Sequence, residues 1–214
     1  MGLRTSVLLF VFLLVMYEAP ARALEPPPEV RVAAVRDLPE LLAAIPRSSL
    51  DRFGFDSVEQ TFRCEPDAFL PLLMLPPAAV DAAAAGSPPV YDDPRIWLAV
   101  IMADEAPRGV LTVAWHRDAW RAVDLGAHGL AVALHAALAT SPSPDPAVVQ
   151  VLQAGAAFLL PDRADAARLA PLAGTGALVD RTDGIPVDDC AGMMRLLRPL
   201  VAANLESFAA PDER

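Results

Sequence analysis

Residues 95–138, RIWLAVIMADEAPRGVLTVAWHRDAWRAVDLGAHGLAVALHAAL, decide the fold. Arg95 to Ala103 is almost wholly apolar and lies between Asp92-Asp93-Pro94 and Asp104-Glu105-Ala106-Pro107. A short apolar run between turn signals reads as a strand buried on both faces. Val110 to His116 alternates: Leu111, Val113 and Trp115 on one side, Val110, Thr112, Ala114 and His116 on the other. Arg117-Asp118-Ala119 is a tight polar connection, and Trp120 to Leu125 alternates again. Short connections favour antiparallel neighbours. After Gly126, His128 to Ala139 carries Leu130, Leu134 and Leu138 at a spacing of four, one apolar helical face. All three tryptophans fall in this block, so it should carry much of the core. The expected fold is α+β: an antiparallel β-meander with helices packed mainly on one face.

Working outward, Cys64 to Leu75 is apolar but interrupted by Pro71, which demotes it to an edge strand or an irregular segment. Residues 76–89 are rich in proline, alanine and glycine, with no periodicity beyond a turn of helix at 78–85, and read as a surface excursion and a possible subdomain boundary. Val30 to Val35 reads as extended or as a short strand. Asp37 reads as the N-cap of a helix presenting Leu38, Leu41, Leu42 and Ile45, which Pro46 stops. Phe53-Gly54-Phe55 is a glycine turn, and Asp56 or Ser57 caps a short helix through Phe62. Beyond the central block, Ala147 to Leu160 has helical character. Residues 174–184 read as a loop or a weak strand pair around Ala177 to Val179. A last helix runs from Cys190 to about Phe208, with a kink or break at Pro199.

The N-terminus has its own signature. Arg4 precedes the apolar run Val7 to Tyr17, and Ala21-x-Ala23 follows, the three-part pattern of a secretory signal peptide. The expected organisation is a signal peptide at 1–23, a proline-rich tether at 24–29 and a single α+β domain over 30–214. The expected address is secreted or periplasmic, the alternative an uncleaved leader acting as an anchor. The run is short for a membrane span.

The chain has 214 residues, a formal charge of −10 and 54% hydrophobic residues. Every basic residue is arginine, a composition that fits a GC-rich bacterial coding sequence. The acidic balance argues against nucleic acid, which calls for a basic stripe, and against docking on anionic lipid once the leader is gone. The expected partner is a protein or a small-molecule ligand.

Few residues carry candidate chemistry. Two cysteines in an exported chain predict a disulfide between Cys64 and Cys190. The competing readings are a nucleophile paired with His116 or His128, and two unpaired buried thiols. His128 and His135 lie seven apart, about 10 Å along a helix, too far to share one ion unaided. A hydrolase site would draw on His116, Asp124 and His128. Trp115 and Trp120, across a tight turn, read as a cross-strand anchor or as the wall of a ligand groove. The acidic pairs sit at turns, and 180–184 fails the calcium-loop pattern. There is no HExxH, phosphate loop or nucleophile elbow. No cofactor or metal is implied. The leading expectation is an exported, non-enzymatic binding or interaction protein, the alternative a secreted hydrolase.

Overall fold

A computed structural model describes residues 25–89, 91, 94–140, 145–163, 165, 168–172 and 189–209. The leader and the loop around Ala177 to Val179 lie outside the described residues. The helices are α1 (Pro28–Ala43), α2 (Val58–Thr61), α3 (Pro77–Ala84), α4 (His128–Thr140) and α5 (Cys190–Ala209). The strands are β1 (Glu65–Met74), β2 (Ile96–Ala103), β3 (Ala106–His116), β4 (Ala119–Gly126), β5 (Ala147–Val151), β6 (Ala156–Leu160) and β7 (Ala170–Pro171). They form one sheet in the order β4-β3-β2-β1-β5-β6-β7. Every pairing is antiparallel except β1 with β5. The fold is α+β, and the meander is β2-β3-β4.

The meander closes through two two-residue turns. Asp104 and Glu105 (φ 52° and 61°) join β2 to β3, and Arg117 and Asp118 (φ 47° and 65°) join β3 to β4. Two successive left-handed residues are what a hairpin needs to match the twist of its strands.

The helices occupy both faces. Trp97, Ala99 and Ile101 of β2 point to one face and pack with Val30, Ala33, Ala34, Leu38 and Leu42 of α1. Phe69 joins that cluster. Leu73, of the same parity on β1, joins a second cluster with Val149, Phe158 and Leu160, covered by α3 and α5. The opposite parity, Leu70, Leu98, Val100, Val110, Val148 and Leu159, packs under Ala131 and Leu134 of α4. α1, α3 and α5 therefore share one face and α4 covers the other. The helices expected mainly on one face thus occupy both, giving three layers with α4 on the second face.

Four local readings are corrected. Residues 28–43 are one helix, with Pro28 in its first turn and Asp37 and Pro39 inside it. Val30, Ala34, Leu38 and Leu42 recur every four residues, so burial of that stripe outweighs the interior proline. Residues 76–89 contain α3, whose Val80, Ala83 and Ala84 are buried in the cluster shared with α5. Residues 147–160 are a β-hairpin, not a helix: Val148, Val149 and Val151 are β-branched, and Gly155 (φ 59°) makes the turn. β1 is an interior strand, yet it bonds β2 over Glu65–Pro71 and β5 only over Leu72–Met74. Pro66 and Pro71 thus fall where the strand has one neighbour, which is where a strand tolerates a missing N–H. The last helix runs through Pro199.

The outer edge of β4 is plugged from α1. Arg36 Nη2 donates to the Trp120 carbonyl (3.2 Å), and the Ala122 N–H donates to Asp37 Oδ2 (3.0 Å). Arg36 and Asp37 are themselves ion-paired. A charged pair laid along an exposed edge blocks pairing with another chain. The Arg36 hydrogen bond, supported by the Ala122 N–H and opposed by burial, holds the Asp37 carboxyl below its ordinary pKa.

Candidate functional site

The segment between α1 and β1 builds the site. Pro46 ends the run after α1, and two short 3-10 turns follow, Arg47–Ser49 and Asp51–Phe53. Gly54 adopts φ 77° and buries Phe55 against the α1 cluster. Asp56 and Gln60 then brace α2 reciprocally: the Asp56 N–H donates to Gln60 Oε1 (2.7 Å), and Gln60 Nε2 donates to Asp56 Oδ2 (3.1 Å).

This excursion leaves an apolar groove of about 800 Å³ against the C-terminal half of α1. Val35, Leu38, Pro39, Leu42, Ile45, Leu50, Val58, Phe62, Cys64 and Pro66 line it, with Thr61, Arg47 and Glu65. Phe62 is 82% exposed. A phenylalanine left in water on the wall of an apolar groove has no packing partner to account for it.

A polar cleft of about 650 Å³ adjoins the groove at Arg47 and Leu50, which line both. Its other walls are Asp51, Gly54, Phe55, Asp56, Arg108 and His128. Arg108 Nη1 donates to the Gly54 carbonyl (2.7 Å) and approaches Asp56 Oδ2 at 3.5 Å. Arg108 Nε is buried without a partner among the described residues. His128 Nδ1 lies 2.9 Å from the Arg108 carbonyl. A carbonyl only accepts, so Nδ1 is a protonated, donating nitrogen of the ring. Gly54 is required by closeness as well as by φ: a Cβ there would lie 2.6 Å from His128 Cε1 and nearer still to Nδ1.

The residues expected to build a hydrolase site do not converge in one cavity. His128 lines the polar cleft, and Asp124 lines a separate shallow cavity with Phe53 and Arg52. His116 is exposed at the far end of β3, four residues from the Thr112 that pairs with Asp124, about 13 Å along the strand. His135 is exposed on α4. Among the described residues no group of histidine, cysteine and carboxylate side chains could hold a metal ion. Trp115 and Trp120 are register partners, edge to face at 5.5 Å and 73°, the cross-strand anchor.

Cys64 and Cys190, expected to form a disulfide, are both free thiols in the structure. Cys64 packs with the α1 cluster and Cys190 with the α3–α5 cluster. Burial pushes the Cys64 thiol up to about 11 and raises Cys190 too, with Asp189 adding to the second. Neither is a ready thiolate near neutral pH.

Sequence reasoning singled out the Phe53-Gly54-Phe55 turn but not Arg47, Phe62 or Arg108. Arg108 sat in what read as a connection. Its role arises only because β3 begins at Ala106 and sets it beside Gly54. Comparison with protein-family models, curated proteins and solved structures returned no match to this chain.

Proposed function

We propose that this chain is an exported binding or interaction protein without enzymatic activity, and that the groove between α1 and α2 is its binding surface. The observation that carries the reading is the apolar groove itself, with Phe62 exposed on its wall. Its volume is in the range of small-molecule sites. The leader-like pattern at 1–23 supports the exported address, and among the described residues no helix is long and apolar enough to cross a membrane. The hydrolase alternative draws on His116, Asp124 and His128, and their dispersal over separate places gives it no support.

The test uses N-phenyl-1-naphthylamine, a neutral dye that brightens in apolar surroundings. The protein should bind it saturably, near one equivalent. Phe62→Ser should weaken binding about five- to tenfold, the value of roughly one lost aromatic contact, with the melting temperature unchanged because Phe62 is exposed. Binding that is absent, or indifferent to Phe62, refutes the reading.

A further inference from the structure

The groove opens at Arg47 and Leu50 into the polar cleft, whose wall holds a second arginine, Arg108. Arg108 has a side chain only 14% exposed, yet among the described residues it makes one short hydrogen bond, to the Gly54 carbonyl, and one long one. A guanidinium offers five N–H donors, and a buried cation is costly unless it is paired. Its carboxylate neighbour Asp56 is 82% exposed at 3.5 Å and also holds Gln60, so it compensates Arg108 weakly. Arg47 is exposed at the junction of groove and cleft and makes no hydrogen bond or ion pair among the described residues.

We propose that the site takes a small amphipathic organic acid, its apolar body against Leu38, Leu42 and Phe62 and its carboxylate at Arg47 and Arg108. This rests on the binding reading above and adds the chemistry of the ligand. The planar fork of arginine matches a carboxylate in two hydrogen bonds. Asp51 and Asp56 also line the cleft. These two carboxylates repel a dianion such as a phosphate monoester more than a monocarboxylate, so the ligand's anionic group is a single charge met by the arginine donors rather than by a net positive field.

Two dyes with one aromatic body separate the claims: 1-anilinonaphthalene-8-sulfonate, an anion, and N-phenyl-1-naphthylamine, its neutral counterpart. The anion should bind the full chain about five- to tenfold more tightly. Arg47→Gln should abolish that preference, weakening the anion several-fold more than the neutral dye. Arg47 is exposed, so this variant carries the test even if Arg108→Gln fails to fold. Dodecanoate should displace either dye at several-fold lower concentration than 1-dodecanol. Equal affinities for the two dyes, an Arg47→Gln effect equal on both, or equal displacement by acid and alcohol overturns the proposal and leaves the binding reading standing. Failure of the neutral dye to bind in a Phe62-dependent way removes both.

Discussion

Replacing Gly54 by alanine separates two costs that usually travel together. The first is conformational: a residue with a Cβ at φ 77° pays about 1 kcal/mol. The second is spatial, because the new methyl group would overlap the His128 ring. The ring must swing away, losing the Nδ1–H bond to the Arg108 carbonyl, about 1 kcal/mol, and disturbing packing by about 1–2 kcal/mol more. The total is about 3–4 kcal/mol. Gly155 supplies the control: it has φ 59° and open space where a Cβ would go, so Gly155→Ala should cost only the first part, about 1 kcal/mol. With roughly 2–4 °C per kcal/mol for a chain of this size, Gly54→Ala should lower the melting temperature by about 6–16 °C. Gly155→Ala should lower it by about 2–4 °C. Thermal melts measure both shifts, and urea titration followed by tryptophan fluorescence measures the two free-energy costs. In a His128→Ala background the cost of Gly54→Ala should fall to that of Gly155→Ala. Equal costs in the natural sequence, or no rescue by His128→Ala, would refute the argument that Gly54 is held by the approach of that ring.

The thiols and the β4 edge give two further tests. With no reductant present, iodoacetamide at pH 8 should label Cys64 and Cys190 slowly in the folded protein and both promptly in urea; labelling that waits for reduction would restore the disulfide, and the same intact masses read whether residues 1–23 are removed. For Asp37, a folded pKa below the ordinary 3.8 means its charge contributes stability above the unfolded value, and that contribution is lost as pH falls through the folded value. The gap in urea midpoint between the natural protein and Asp37→Asn should therefore hold steady from pH 7 to 5 and shrink progressively as pH falls below 3.8; a gap unchanged in acid would sink the charged plug of β4.

The meander and α4 were legible because several signals agreed there. β2 is a continuous apolar run, β3 and β4 alternate, and polar turns separate them. Where signals conflicted, reading failed in a physical way. In α1 the prolines at 28 and 39 hid a four-residue stripe that only a partner sheet makes worth burying. At 147–160 alanine and leucine imitated a helix, and three β-branched valines with one left-handed glycine decided for a hairpin. Pro71 spoke correctly of its own half of β1 and wrongly of the strand as a whole. The apolar lining at Leu38, Leu42 and Ile45 was visible as a helical face. The charged end was not, because Arg47 and Arg108 lie about sixty positions apart and meet only through the Gly54 turn.

The central position of β1 has a consequence for how the chain acquires its shape. Two hairpin units, β2-β3-β4 and β5-β6, can each form from neighbouring residues, whereas β1 joins them and precedes both. Its first partner begins at Ile96 and its second at Ala147. At a synthesis rate of about 5–20 residues per second, Leu72–Met74 would wait roughly 4–15 s after emerging before the residues of β5 exist. Over that interval Leu72–Leu75 stands as an unsatisfied, strongly apolar template beside Pro71. That proline shortens the stretch that a stray strand could copy. Pro71→Val, harmless by polarity, should therefore raise the yield of aggregate during refolding more than it changes the stability of the finished protein.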